Sequence, residues 1–362
     1  MSAYSLRNSI SACERLTQSA RSNFAPVFAL LPKEKRQAMK ILYAYARFTD
    51  DLADQTDVDP NTGASLPTSP RRKRQKINQW TAVLDDVLGF PGISEPKIHT
   101  PEDEAGFQQL EQDFPGSSGI VYLPALKMIV DRFGIPREAL FHLIEGVESD
   151  LEPQRFETFD ECADYCHQVA TSVGFASLAV WGTTGPIFSD NIVRAAKACG
   201  IAFQWTNILR DIFEDAERDR FYLPQNELQR FGLTEKQFLQ ALDRKSWDEM
   251  KGKPNATMTQ ADRYEHEHLM QQLGNFERKL DRFLLHQFER CEIYYTNAAP
   301  LYQMIERDSR KVFGMMWARY YSLFRKIRDN PFNLCRRRVS LSFLAKLRLM
   351  LRWRFLPCQR LK

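Results

Sequence analysis

Two clusters of acidic and amide side chains are the part of the sequence whose residue types and spacing could do chemistry. In the first cluster, Asp50 and Asp54 stand four residues apart, with Asp51 between them. The second cluster repeats at the same interval and consists of Asn207, Asp211 and Asp215, with Glu214 beside it. Residues four apart share one face of an α-helix. Each cluster is therefore predicted to form a stripe of oxygen atoms along a helix.

These oxygen stripes predict a cation site. Like charges one helical turn apart destabilise a helix, and unpaired carboxylates that are buried cost considerably more. A divalent cation between two such stripes would remove both penalties. Ligands that are all oxygen, with no His or Cys beside them, favour Mg²⁺, with Mn²⁺ as the alternative. Because Mg²⁺ completes its shell with water and substrate phosphates, the pattern indicates a diphosphate substrate.

The alternative interpretation of the same residues is a solvated charged face. In that case the acids would pair with nearby guanidinium groups, those of Arg47, Arg210, Arg218 and Arg220. Two stripes that each end an apolar helix favour the cation site. Arg47 lies one turn before Asp50, and the planar fork of an arginine suits phosphate oxygens.

Three apolar stretches must position these clusters. They cover about 38–48, 165–181 and 193–213, and they are apolar on almost every side. A helix of that kind lies inside a large bundle. Strand signals are few, and helical periodicity dominates the rest of the chain. These features predict an all-α protein.

Composition and charge narrow the function classes. The 362 residues are 43% hydrophobic and carry a net charge of +4, which gives no strong attraction to nucleic acid. Seven cysteines are scattered without a CxxC pair, so a zinc site is disfavoured and reduced thiols are expected. The polar N-terminus has no signal-peptide core, and no uncharged run is long enough to cross a bilayer. We expect a cytoplasmic protein with no nucleic-acid partner. The sequence indicates no oligomeric state.

Two polar segments, about 57–119 and 245–265, interrupt the apolar pattern. Apolar helices resume on both sides of each segment, so we expect insertions within a single domain that spans 1–362. A helix is expected near 75–88. No acidic residue follows Asp329, and basic residues alternate with apolar ones up to Lys362. Residues 339–349 are expected to form a final bundle helix. The basic tail 350–362 is the candidate for peripheral contact with the inner face of a membrane.

The motifs resemble those of the squalene/phytoene synthase family over roughly residues 15–345. Four segments carry the resemblance: NFAPVFALLP (23–32), YAYARFTDDLAD (43–54), YCHQVATSVG (165–174) and GIAFQWTNILRDIFEDAERDRFYLPQNEL (200–228). The resemblance implies the helical bundle of type I isoprenoid synthases, with a central cavity. It also implies Mg²⁺ ions held by Asp50, Asp54, Asn207, Asp211 and Asp215.

The resemblance further assigns expected roles around the metal ions. Catalytic roles fall to Asp50, Asp54, Asp211, Asp215 and Tyr165, with Tyr165 near the reacting carbons. Contacts to diphosphate or metal-bound water are expected from Arg21, Ser22, Asn23, Arg47, Gln204, Arg220 and Tyr222. Side chains expected to line the prenyl channel are Phe24, Phe28, Tyr43, Val169, Ala170 and Gly174.

The implied reaction joins two prenyl diphosphates head to head through a cyclopropyl diphosphate. We expect farnesyl diphosphate as substrate and presqualene diphosphate or squalene as product. NADPH is needed only if squalene forms by a reductive second step. The alternative is conversion of geranylgeranyl diphosphate to phytoene.

Three other interpretations compete with this one. A chain-elongating prenyltransferase would carry a second Asp pair where this chain has Thr206 and Asn207. A terpene cyclase would carry Ser or Thr, then Glu, in place of Asp211 and Asp215. A non-catalytic assembly protein of the same fold would typically lack the aspartates. All three are less favoured.

Overall fold

The structure is a computed structural model that describes residues 5–19, 25–54, 56–58, 65–88, 119–242, 260–331 and 339–355. The prediction of an all-α protein is confirmed. The α-helices are α1 (Leu6–Ser19), α2 (Lys33–Asp54), α3 (Pro70–Leu88), α4 (Leu123–Phe133), α5 (Arg137–Ser149), α6 (Phe159–Cys166), α7 (Ser172–Trp181), α8 (Asp190–Glu217), α9 (Gln225–Arg230), α10 (Glu235–Leu242), α11 (Gln260–Ala298), α12 (Leu301–Met304), α13 (Arg310–Arg328) and α14 (Phe343–Phe355). Ala25–Leu30 and Gly119–Tyr122 form 3₁₀ turns.

The strands within the described residues form two small pairs. β1 (Thr56–Val58) runs antiparallel to β2 (Ser65–Pro67) directly after α2. β3 (Gln154–Arg155) runs parallel to β4 (Arg220–Phe221), with Gln154 opposite Arg220. The second pair ties the segment after α5 to the segment after α8.

Helices α2 and α8 are the two elements that carry the acidic clusters. Pro32 precedes α2, where its missing N–H suits a helix start. Asp190 in the first turn of α8 interacts favourably with the positive, N-terminal end of that helix dipole and stabilises the helix. Both helices have a buried apolar face, which includes Ile41 on α2 and Trp205 on α8, both fully buried. Packing therefore fixes which face of each helix carries the oxygen stripe.

A π-helical turn, His167–Thr171, joins α6 to α7. Single π-helical turns within helices are frequent at functional sites. Thr171 packs directly on Gly200 of α8, where a Cβ atom would lie 2.7 Å from the Thr171 Cα and 2.8 Å from its nitrogen. Only glycine permits this close approach without a shift of the backbone.

The segments expected to be insertions are only partly described. Helix α3 begins at Pro70, earlier than the predicted start near residue 75, and it buries Trp80 against α2. The Trp80 Nε1 group donates a hydrogen bond of 3.2 Å to the Thr49 hydroxyl. Residues 89–118 and 243–259 lie outside the described residues, and α11 begins at Gln260.

Helix α14 closes the described part of the chain. Trp353 is 7% exposed, and its ring lies 6.0 Å from the ring of Tyr302. The ring also packs on Gly314, where a Cβ atom would collide with it. The predicted start of the basic tail, residue 350, therefore falls within α14, and 356–362 lie outside the described residues. No helix in the described ranges is both long and apolar enough to cross a membrane.

Candidate functional site

A cavity of about 510 Å³ lies between α2, α7, α8 and α13. Its polar lining side chains are Arg47, Asp50, Ser177, Gln204, Asn207, Arg210 and Tyr320. Its apolar lining includes Phe28, Met39, Tyr43, Val169, Ala170, Gly174, Trp181, Ala196, Phe203, Leu301, Phe313 and Met316. One wall is thus a set of charged and amide groups, and the others are hydrocarbon and aromatic.

The polar and apolar linings separate along the cavity axis. On α8 the lining runs from Ala196 to Arg210, which is about 21 Å at 1.5 Å per residue. On α2 it runs the same way from Met39 to Asp50. Both helices therefore present their C-terminal turns at the polar end. The arrangement suits a molecule with a charged head and a long apolar tail.

Of the first aspartate cluster, Asp50 lines the polar end of the cavity, whereas Asp51 and Asp54 are not among the lining residues. The Asp50 side chain is open to the cavity. The protein around the cavity limits hydration of its carboxylate, and this desolvation raises the pKa of Asp50 to about 7. The charges of Asp51, Asp54 and Asp150 also raise the pKa, and the charge of Arg47 lowers it. The Arg47 Nε group donates to Asp51 at 3.1 Å. Asp54, half exposed, lies 3.6 Å from Arg218 at the end of α8. This ion pair brings the ends of the two acidic helices together.

The second cluster lies on α8. Arg210 pairs with its neighbour Asp211, and both side chains are largely buried. Burial raises the pKa of Asp215 to about 7, with Asp211 adding to it and Arg220 opposing it. The Asn207 amide nitrogen donates to Gln204 at 3.2 Å. The Asn207 Oδ1 atom is buried and accepts no hydrogen bond within the described structure.

This donor set fits Mg²⁺ ions that are shared with a substrate. The Oδ1 atom of Asn207 is a buried acceptor that a hard cation would satisfy, and Asp50 lines the same cavity. Within the described ranges, no three His, Cys, Asp or Glu side chains converge on one point. A cage made only of protein ligands is therefore not formed there. Mg²⁺ is usually held by one or two carboxylates together with water and substrate phosphates, and that mode matches these residues.

Asp150, which follows α5, is a polar residue of this region that the sequence analysis missed. Its carboxylate accepts hydrogen bonds from Tyr165 (3.0 Å) and Tyr222 (2.9 Å). Its backbone oxygen accepts one of 2.6 Å from Arg220. The rings of Tyr165 and Tyr222 are stacked at 4.9 Å. Nothing in the sequence separates Asp150 from an ordinary surface acid at the end of a helix.

The other predicted site residues divide into three groups. Those that line the cavity are Phe28, Tyr43, Arg47, Val169, Ala170, Gly174 and Gln204. Those in the Asp150 network are Tyr165, Arg220 and Tyr222, which are not among the lining residues of the cavity. Those outside the described residues are Arg21, Ser22, Asn23 and Phe24.

Further lining residues come from helices that carry no recognised motif. Tyr320 on α13 stacks on Phe203 of α8, with ring centroids 4.3 Å apart. Phe313 and Met316 on α13 close the apolar end together with Trp181. Their sequence pattern is that of any buried helix face, so only the packing reveals their position.

Comparisons with known proteins identify the family of this chain. The sequence profile described as squalene/phytoene synthase matches residues 17–264. Phytoene synthase 1, chloroplastic, from Zea mays is 30% identical over 244 residues, which is 67% of this chain and 50% of that protein. A phytoene synthase from Arthrospira platensis is 31% identical over 252 residues, or 67% of this chain and 70% of that protein. The chain spans about half the length of the maize relative.

Solved structures show the same fold. A dehydrosqualene synthase in complex with a ligand superposes with a TM-score of 0.60 at 22% identity and covers 96% of each chain. Squalene synthase HpnC from Alicyclobacillus acidocaldarius gives a TM-score of 0.59 at 19% identity, covering 90% of this chain and 95% of that one. The profile match over residues 17–264 shows that the chain belongs to the squalene/phytoene synthase family.

Proposed function

We propose that this protein joins two prenyl diphosphates head to head, through a cyclopropyl diphosphate, and that Mg²⁺ is required. The observation that carries the proposal is the cavity, in which a polar end with Asp50 and Asn207 continues into an apolar channel. A prenyl diphosphate has the same division between head and tail. Membership of the family supports the reaction type.

In this proposal the polar end of the cavity binds the diphosphate and its metal ions. Bound Mg²⁺ would neutralise the diphosphate and allow it to leave from the allylic carbon. Asp50, Asp54, Asn207, Asp211 and Asp215 are the residues proposed to hold the ions. We assign the contacts to phosphate oxygens to Arg47 and Arg210, which also line the polar end.

The apolar channel protects the cationic intermediates. Aromatic faces such as those of Phe203 and Tyr320 attract positive charge. A channel that excludes water keeps an allylic cation from premature capture. Head-to-head joining needs this protection twice, because the cyclopropyl diphosphate must ionise again in the same cavity.

Two substrates are candidates. Farnesyl diphosphate, giving presqualene diphosphate or squalene, remains our first choice and would make NADPH relevant to the product. The second candidate is geranylgeranyl diphosphate, and the relatives named phytoene synthase support it. Purified protein should be incubated with each diphosphate and Mg²⁺, with and without NADPH, and the hydrocarbon identified by mass spectrometry. Absence of pyrophosphate release from both substrates would favour a non-catalytic assembly protein.

Asp50→Asn and Asp215→Asn test the aspartates. Each variant should lose about 100-fold or more in kcat, because charge stabilisation at a leaving group is typically worth that much. Asp131→Asn is the matched control, since Asp131 is an exposed acid that pairs with Lys127 on the surface of α4. Near-normal turnover of both site variants at saturating Mg²⁺ would contradict the proposed function.

A peripheral membrane contact is also part of the proposal. On α14, Leu344 is 65% and Leu351 is 45% exposed, and Arg348 and Arg352 are exposed beside them. A helix with exposed leucines, four cationic side chains and no acid suits an anionic lipid surface. Since Trp353 is buried, the test is Leu344→Ser with Leu351→Ser, not truncation at residue 350. Binding to phosphatidylglycerol vesicles should fall in this variant, and unchanged sedimentation would contradict the contact.

A further inference from the structure

Asp150 occupies a position that local physics disfavours. It is the C-cap residue of α5, where the negative end of the helix dipole repels a carboxylate. Burial raises its pKa, and hydrogen bonds from Tyr222 and Tyr165 and the charge of Arg220 oppose that effect. Positions that violate local rules and are compensated by a specific network are often functional.

The surroundings of Asp150 link it to both aspartate clusters. Its charge contributes to the raised pKa of Asp50 on α2 and of Asp215 on α8. Asp54 in turn contributes to the raised pKa of Asp150. Asp150 therefore lies within electrostatic reach of both sides of the polar end.

The network also fixes the chain that follows α8. Gln154, which lies four residues after Asp150, is paired with Arg220 in the parallel pair of β3 and β4. Arg155 donates to the backbone oxygen and to the carboxylate of Asp219, each at 2.7 Å. Asp219 has a φ of 57°, a left-handed conformation that is uncommon for a residue other than glycine. The turn that presents Arg220 and Tyr222 is thus anchored on the segment that begins with Asp150.

We propose that Asp150 is a positioning residue for the diphosphate site. Its carboxylate holds the hydroxyls of Tyr165 and Tyr222, and its carbonyl oxygen holds the guanidinium of Arg220. The inference rests on the proposed function and on the contacts of Arg220 and Tyr222 to diphosphate or metal-bound water that the family resemblance implies. Tyr165 is 6% exposed and Tyr222 5%, so neither hydroxyl has bulk water as an alternative partner.

A positioning role differs from that of a metal ligand. Each carboxylate oxygen of Asp150 already accepts a tyrosine hydroxyl. Loss of a metal ligand raises the Mg²⁺ concentration needed for half-maximal rate. Loss of a positioning residue would misplace Arg220 and raise the KM for the prenyl diphosphate. The Mg²⁺ concentration needed for half-maximal rate would not change.

The experiment measures pyrophosphate release by Asp150→Asn and Asp150→Ala over a range of prenyl diphosphate and Mg²⁺ concentrations. We expect kcat/KM to fall on the order of 10- to 100-fold, mainly through KM, because a small misplacement of a binding group has effects of that size. The Mg²⁺ half-saturation should change much less than KM, because Asp150 is not one of the proposed metal ligands.

Glu148→Gln is the matched control, because Glu148 is an acid of the same helix end that pairs with Arg74. Unchanged kcat/KM in both Asp150 variants would overturn the inference, as would a tenfold rise in Mg²⁺ half-saturation at constant KM. If the Asp150 variants fail to fold, Tyr165→Phe with Tyr222→Phe carries the same test, and normal kinetics would overturn it. A wild-type protein that is inactive on both diphosphates would instead refute the proposed function.

Discussion

Asn207 is the residue whose chemistry can be read most directly from its surroundings. Its amide nitrogen has Gln204 as a partner, and its Oδ1 atom is buried without one. A buried acceptor left unpaired costs about 1–3 kcal/mol, so a ligand for this atom would also stabilise the site.

Asn207→Ala should raise the Mg²⁺ concentration for half-maximal rate by about 10- to 100-fold, because loss of a metal-site group typically costs that much affinity. Titration of pyrophosphate release with MgCl₂ measures the change. Asn191→Ala is the control, since Asn191 is exposed on the first turn of the same helix and pairs with Arg194. A Mg²⁺ titration of Asn207→Ala that overlays the wild-type curve would remove Asn207 from the ligand set.

Glu227 on α9 makes a largely buried ion pair that the site does not use. It accepts from Gln287 (2.9 Å) and Arg290 (2.8 Å) of α11. Burial by itself raises the pKa of Glu227, but the hydrogen bonds from Arg290 and Gln287 outweigh it and hold the pKa below its ordinary value of 4.5. The pair therefore stabilises the folded state only when Glu227 is ionised.

The lowered pKa sets the pH dependence of this contribution. It is fully present above pH 4.5 and is lost as the pH falls through the lower pKa of the folded state. Glu227→Gln should reduce the free energy of unfolding by about 1–3 kcal/mol at pH 7. Urea unfolding at pH 7 and near pH 3 should show this difference shrinking in acid. The exposed Glu289→Gln is the control, and a difference that grows in acid would contradict the assignment.

Among the elements, the π-helical turn and α8 depend on each other. The turn brings Val169 and Ala170 to the cavity, while Thr171 lies against Gly200. Gly200→Ala should lower the free energy of unfolding by about 1–3 kcal/mol through overpacking. Gly274→Ala on α11 has room for its methyl group and should instead gain up to about 1 kcal/mol in helix propensity. Denaturant midpoints of the two variants shifting in the same direction would contradict this explanation.

The same elements show how far the sequence predicts the fold. The apolar stretches near 38–48, 165–181 and 193–213 correspond to parts of α2, α6 with α7, and α8. The sequence could not reveal the π-helical turn, because His167–Thr171 continues the periodicity of a helix and the extra residue appears only in the hydrogen bonds. Tyr320 and Asp150 were missed for a related reason. Their role depends on contacts with distant helices, which no local pattern records.

In the molecule as a whole, Asp50 of the first acidic cluster and Asn207 of the second line the same cavity, and Arg218 at the end of α8 pairs with Asp54 at the end of α2. The C-terminal end of a helix carries partial negative charge, so α2 and α8 both add to the negative potential there. A cation that binds at this end relieves repulsion in the native state alone.

MgCl₂ together with inorganic pyrophosphate should therefore raise the melting temperature of the protein by a few degrees. At a ligand concentration of 100 times Kd the stabilisation is about 2.7 kcal/mol. Differential scanning fluorimetry with NaCl at equal ionic strength separates specific binding from screening. Asp215→Asn should lose most of the shift, and an equal shift in NaCl would contradict specific binding.

Three arginines near the aspartate clusters form ion pairs with them. Arg47 with Asp51, Arg210 with Asp211 and Arg218 with Asp54 form internal counter-ion pairs. Asp54 and Asp211 are among the proposed metal ligands, so a metal bound by them would compete with Arg218 and Arg210 and could free these guanidinium groups for an incoming phosphate. Loading of ions and capture of the substrate headgroup would then be one exchange of partners, in which the net charge of the chamber changes little.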